Sequence, residues 1–168
     1  NGLLVSFYSY NKNKSHLYNI LATIASINVF ININKFKKNI FLNLKTPNGR
    51  GDISKIQLKN KKIFLVDETY NSNPLSLKTA IENYDKIKSK NSKKYLVLGD
   101  MLELGKHSIK QHKLISKIVN KTKINQVYVI GKYIKKTFYG LKSNKKAEIL
   151  NNKIDILNLI KNNLNNND

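Results

Sequence analysis

Two short stretches carry side chains that could take hold of a ligand's hydroxyls, a cation or an amine. The first, Asp67-Glu68-Thr69-Tyr70-Asn71-Ser72-Asn73-Pro74, follows the apolar run Ile63-Phe64-Leu65-Val66. The second, Gly99-Asp100-Met101-Leu102-Glu103-Leu104-Gly105, follows Tyr95-Leu96-Val97-Leu98. Both lie where a buried strand gives way to a loop, and open α/β sheets bind ligands at the carboxyl ends of their strands. Asp67 or Glu68 could accept hydrogen bonds from ribose hydroxyls or help to hold Mg²⁺, and the amides of Asn71 and Asn73 both donate and accept. The plainer reading makes Asn73 a helix cap and Asp67 an acceptor for loop amides. Asp100 and Glu103 could act on a substrate amine or stabilise their loop, and the balance leans to the loop. Gly99 and Gly105 do not form a phosphate loop, because the Gly-Lys-Ser/Thr ending is absent.

Arg50 is the single arginine among 31 Lys and Arg residues. In a chain that otherwise uses lysine, it marks either a place that needs a planar, two-pronged donor or the chance survival of one arginine. It sits in the turn-rich stretch Pro47-Asn48-Gly49-Arg50-Gly51. Among the histidines, His112 lies three residues from both Ile109 and Ile115, so a packed, hydrogen-bonded histidine is favoured over a catalytic one. His107 reads as helix-start surface, and no histidine pair has the spacing of a zinc site.

These residues need elements to position them. Residues 3–8 are expected as a strand, residues 17–29 as a helix with Leu17, Leu21, Ile24 and Ala25 on its apolar face, and residues 33–44 as a second helix. The stretch 47–51 then breaks the pattern at a hinge or domain boundary. Residues 53–58 and 62–66 flank Lys59-Asn60-Lys61 as a β-hairpin. Beyond it, Asn73 caps a helix that has Pro74 at its first position, with Leu77, Ala80, Ile81, Tyr84 and Ile87 facing the core. A strand over 95–98, a helix over 108–120, a strand over 126–130, a short helix ending near Phe138, a weak strand over 147–150 and a last helix over 154–164 complete the pattern. Such alternation predicts an α/β fold with a mostly parallel sheet covered by helices. Residues 162–168 read as a frayed polar end.

Composition narrows the function. With 168 residues the chain can bury one domain core and a small appendage. The net charge of +21 raises a nucleic-acid-binding module as the alternative from another class, yet the cations are lysines scattered through an asparagine-rich chain, without arginine forks or aromatic platforms. No apolar run is long enough to span a bilayer. The start has neither methionine nor a basic leader, which reads as an internal piece of a cytosolic protein, expected to be monomeric. The lack of cysteine excludes disulfides.

The two loops together resemble the ATP-dependent Mur ligases, in particular the branch that adds D-alanyl-D-alanine to UDP-N-acetylmuramoyl-tripeptide in peptidoglycan synthesis. Residues 67–74 with Ser76 are similar to that branch's Asp-Asp-Ser-Tyr-Asn-Ala-Asn-Pro, and residues 97–105 with His112 to its Val-Leu-Gly-Asp-Met-Leu-Glu-Leu-Gly and downstream histidine. Asn19-Ile20-Leu21-Ala22 resembles the Asn-Ala-Leu-Ala near the end of the central ATPase domain, and Gly49-Arg50 the Gly-Arg at the junction with the C-terminal domain. The departures are Ser15-His16 for His-Asn, Glu68 for the second aspartate, and Leu77 for methionine.

By this resemblance, residues 1–46 are a helical remnant of the central domain and residues 47–168 a Rossmann-like C-terminal domain lacking its last strand. Asn19 would contact adenine, Arg50 the ATP phosphates, where it is the expected catalytic residue, and Glu68 the ribose. Tyr70, Asn71 and Asn73 would face the cleft where the peptide carboxylate is activated. ATP and Mg²⁺ are the implied cofactors, with Mg²⁺ held mainly by the central domain and no metal ligand expected here. The implied reaction phosphorylates the carboxylate, and the dipeptide amine then attacks the acyl phosphate. This stretch alone is expected to be inactive. The alternative within the family is a ligase adding a single amino acid.

Overall fold

The computed structural model describes residues 4–10, 14–44, 47–58, 60–88 and 92–168. Leu3, Thr46 and Lys59, which fall in the expected first strand, at the domain boundary and in the hairpin turn, lie outside these residues, as does the side chain of Ser15. The chain divides into two units, Asn1–Pro47 and Asn48–Asp168.

In the first unit, helix α1 spans Lys14–Asn28. Its buried positions are His16 and Ile20. Ile24 and Ile27 continue that stripe half-buried, whereas the expected face residues Leu17, Leu21 and Ala25 are exposed. The helix is therefore rotated by about one residue from the predicted face. Residues 4–9 form no strand, although Tyr8 N–H donates to Lys38 O at 2.8 Å and Phe7 packs edge-on against Phe41. The expected helix over 33–44 is reduced to a 3₁₀ turn, Ile33–Lys35. The Asn32 side chain accepts from Asn34 N–H at 3.0 Å. Later turns close by bonds across three residues, as from Ile40 N–H to Lys37 O. Asparagine offers the backbone local partners that compete with the helical ladder, which is why apolar spacing did not suffice here.

The second unit opens with the hairpin β1 (Asp52–Leu58) and β2 (Lys61–Asp67). Helix α2 (Pro74–Lys86), β3 (Tyr95–Leu98), α3 (Ser108–Val119), β4 (Gln126–Ile130), α4 (Lys135–Tyr139), β5 (Lys146–Leu150) and α5 (Lys153–Asn162) follow. Strands β3, β4 and β5 pair in parallel in that order, and the hairpin forms a separate antiparallel pair. The central strand β4 is buried on both faces. Val127 and Val129 join Ile81, Leu98, Met101, Ile115, Val119 and Ile134 in one cluster, and Tyr128 joins Leu150 and Leu159 in the other. A strand covered by helices on both sides reads as a continuous apolar run, as Val127-Tyr128-Val129 does.

Ile87, expected on the core stripe of α2, is instead its exposed C-cap. The polar end is tied down, contrary to the expectation of fraying. Asn167 N–H donates to Lys62 O at 2.6 Å, Phe64 N–H to Asp168 O at 2.8 Å, and Asp168 Oδ1 accepts from Lys93 N–H at 2.7 Å. The open edge of β2 offers backbone groups that must find partners, and this segment supplies them.

Candidate functional site

Hairpin register assembles the main cluster. Asp52 pairs with Asp67, so the residues just before β1 lie beside those just after β2. Gly51 N–H donates to Asp67 O at 2.7 Å, and Tyr70 N–H donates to Gly49 O at 3.1 Å. The Asp52 carboxylate accepts from Gly49 N–H at 3.2 Å. Gly49 has φ of 78°, and a Cβ there would stand 2.9 Å from Tyr70 N, so both its backbone conformation and its close neighbour require glycine.

Within this lacing Arg50, Glu68 and Tyr70 share one corner. The Arg50 guanidinium carbon lies 4.4 Å from the centroid of the Tyr70 ring. Neither recorded ion pair among the described residues involves Arg50. Glu68 is exposed along its length, but its carboxyl tip approaches Gly51, where a Cβ would come within 3.1 Å of Oε1. Partial loss of water, and then the nearby Asp67 and Asp52 carboxylates, hold the Glu68 carboxyl above the ordinary glutamate range. Asp67 is engaged locally: its Oδ1 accepts from Thr69 N–H at 3.0 Å and from the Thr69 hydroxyl at 2.7 Å. It shapes the loop, whereas the Glu68 carboxyl lies against Gly51 at the same corner as Arg50.

Asn73 caps α2. Its Oδ1 accepts from Leu75 N–H and Ser76 N–H while Ser76 Oγ accepts from Asn73 N–H, a reciprocal box that fixes where the helix begins. Its amide nitrogen takes no part in that cap. Asn71 is exposed in the intervening loop, and Asn19 is exposed on α1 in the other unit.

In the second loop Asp100 is structural. Strands β3 and β4 are parallel, so their carboxyl ends lie at one edge. There Asp100 accepts from Lys132, Tyr133 and Ile134 N–H at 2.8, 2.9 and 2.7 Å. His112, fully buried, accepts from Met101 N–H at Nε2 (2.9 Å), and its Nδ1 lies 2.7 Å from Ser108 O. That pair of bonds places the ring proton on Nδ1 and pins the loop from below. Both residues thus hold backbone, as the sequence reading favoured. Glu103 is exposed, at φ of 60°.

A family profile described as the Mur ligase glutamate ligase domain matches residues 54–168. The chain belongs to the Mur ligase family. A UDP-N-acetylmuramoyl-tripeptide–D-alanyl-D-alanine ligase of Buchnera aphidicola subsp. Baizongia pistaciae is 33% identical over 150 residues, covering 82% of this chain and 32% of the relative. The ligase of the same name from Bacillus subtilis is 38% identical over 68 residues, covering 40% of this chain and 15% of the relative. The chain thus spans no more than about a third of the curated relatives it matches. Among solved structures, MurF of Thermotoga maritima in complex with ADP superposes with a TM-score of 0.66 at 25% identity, covering 96% of this chain and 34% of that one. MurF of Acinetobacter baumannii gives a TM-score of 0.67 at 20% identity, covering 90% and 32%, and supports the fold.

Within this Mur ligase domain, sequence reasoning passed over Asp52 and Gly131. Asp52 braces the Arg50 turn, and the signal for it was the run Gly49-Arg50-Gly51-Asp52 at a strand start. Gly131 makes room for Asp100: a Cβ on it would stand 2.6 Å from the carboxylate carbon. Only pairing β4 with β3 brings those two together, and no local pattern announces it.

Proposed function

We propose that this chain is the C-terminal part of an ATP-dependent ligase that joins D-alanyl-D-alanine to UDP-N-acetylmuramoyl-tripeptide in the cytoplasm. Residues 1–46 are assigned to the end of the central ATP-binding domain and residues 47–168 to the C-terminal domain. The observation that carries the reading is the corner at the hairpin's end. It combines the chain's one arginine, which joins no ion pair among the described residues, with the neighbouring Glu68 carboxylate in a domain of this family. The name borne by its 33% identical relative supports the choice of substrate.

The residues fit a nucleotide. Arg50 offers a fork of donors matched to phosphate oxygens, and Glu68 offers acceptors matched to ribose hydroxyls. Asn19 is assigned to adenine, and Tyr70, Asn71 and the amide nitrogen of Asn73 to the peptide side. Mg²⁺ is assigned, by the family resemblance, mainly to the central domain of the ligase. ATP supplies the phosphoryl group that activates the peptide carboxylate, and the dipeptide amine then displaces phosphate to form the amide. Arg50 stabilises negative charge that accumulates on the phosphoryl oxygens. These 168 residues contain no Gly-Lys-Ser/Thr phosphate loop, so alone they release no ADP.

The test is a chimera in which this chain replaces the matching part of the Thermotoga relative. ADP release is expected to require both UDP-N-acetylmuramoyl-tripeptide and D-alanyl-D-alanine, and Arg50→Lys is expected to lower kcat by about 100-fold. A folded chimera that requires a single amino acid in place of the dipeptide, or releases no ADP, refutes the assignment.

A further inference from the structure

An arginine on an exposed turn has many rotamers, and a phosphate ligand works best when few of them remain. Three observations show what limits those of Arg50. Its guanidinium lies over the Tyr70 ring at 4.4 Å. The Tyr70 backbone is fixed by its N–H bond to Gly49 O, one residue from Arg50. The approach is tight enough that a Cβ on Gly49 would stand 2.9 Å from Tyr70 N and 3.2 Å from Tyr70 Cβ. The ring and the arginine are thus registered by the same hairpin, with no ligand needed to bring them together.

We propose that Tyr70 is the positioning residue for Arg50, its ring face holding the guanidinium ready for a phosphate; this deepens, and rests on, the ligase reading above. A stacking partner suits the task better than a carboxylate would. Stacking engages the flat face of the guanidinium and leaves the in-plane N–H groups free, whereas an ion pair would occupy those donors. The phenolic hydroxyl takes no part in the stack, so phenylalanine can serve at position 70 and an aliphatic residue cannot.

The single arginine makes the stack directly visible. In the 168-residue chain, the Arg50 Nε–Hε resonance is expected to be ring-current shifted and ordered, to stay so in Tyr70→Phe, and to move to the free-arginine position with a lower order parameter in Tyr70→Leu. Amide spectra report whether each variant is folded. A Tyr70→Leu chain that is folded and keeps the Arg50 shift and order overturns the proposal. In the complete ligase carrying this chain, Tyr70→Leu is expected to reduce kcat/KM for ATP by about 2- to 5-fold, the range for losing an exposed cation–π contact. The KM for D-alanyl-D-alanine should be unchanged in Tyr70→Leu, and Tyr70→Phe, which keeps the ring face, should retain the kcat/KM for ATP that Tyr70→Leu loses. Equal rates for all three, or a change confined to the dipeptide KM, overturns the positioning role while the ligase reading stands. If the unmodified ligase releases no ADP, that reading fails and the phosphate role with it, while the resonance still reports the stack.

Discussion

Gly131→Ala should be among the most damaging one-methyl changes in this domain, and the damage should depend on Asp100. Gly131 has φ of 138°, and a Cβ on it would stand 2.6 Å from Asp100 Cγ and Oδ1 and 2.8 Å from Oδ2. Those are the oxygens that accept from Lys132, Tyr133 and Ile134 N–H. Displacing the carboxylate orphans Ile134 N–H in a fully buried residue and Tyr133 N–H in a half-buried one, whereas water can replace the bond at exposed Lys132. Two partly buried, charge-assisted bonds contribute about 3 kcal/mol together, and the backbone strain adds about 1 kcal/mol. Gly131→Ala is therefore expected to cost about 4 kcal/mol, and Asp100→Ala about 3 kcal/mol by the same bonds.

The double variant separates the clash from the strain. Once Asp100 is truncated the added methyl meets no carboxylate, so the second change costs only the strain. The pair should cost about 4 kcal/mol in place of an additive 7, a coupling of about 3 kcal/mol. Urea unfolding of the 168-residue chain and its three variants measures this, and unchanged slopes would confirm that midpoints report stability. Costs that add to within about 0.5 kcal/mol would show that the Asp100 contact is not what makes glycine necessary at 131.

Two further outcomes follow from buried or crowded polar groups. His112→Ala removes a fully buried ring and orphans Met101 N–H, so it should cost about 3 kcal/mol and selectively lower hydrogen-exchange protection at the Met101 amide; unchanged protection there would refute the pinning role. Glu68 binds its proton more tightly folded than unfolded, so its charge opposes folding above its raised value and that penalty fades as pH falls toward the ordinary glutamate value. Glu68→Gln should therefore be more stable than the parent at neutral pH, with the gap closing in acid, as pH-dependent urea midpoints would show; a gap that widens in acid would contradict the assigned direction.

Much of the second unit was legible because its signals are local. Asn73-Pro74 announced the start of α2, and the hairpin declared itself by strand pattern and turn. Short continuous apolar runs marked β3 and β4, and helical spacing marked α3. The first unit was less legible. Apolar spacing in α1 is compatible with two adjacent faces, and His16 with Ile20 lies inward where Leu17 with Leu21 was expected. Residues 33–44 have helical spacing, but Asn32 diverts the backbone into turns. The tethered end was missed for a different reason. Its partners, Lys62, Phe64 and Lys93, lie far away in sequence, and only the paired edge of β2 shows what an asparagine-rich tail can bond to.

The residues that first looked catalytic divide by what their polar atoms already do. Asp100 is committed to three backbone N–H groups, His112 to two backbone partners, Asp67 to Thr69, and the carbonyl oxygen of Asn73 to a helix start. Each joins an element's end to the loop beside it, so removing one loosens the mouth before it touches any chemistry. Arg50, over the Tyr70 ring, joins no ion pair among the described residues, and Glu68 and Asn71 are exposed. A phosphorylated ligand can gain most from groups whose hydrogen bonds are unspent and whose positions are fixed by neighbours. By that criterion chemistry should depend most on Arg50 and Glu68. Asp100 and His112 should reveal themselves through stability, which is why one set of variants belongs in a rate assay and the other in urea.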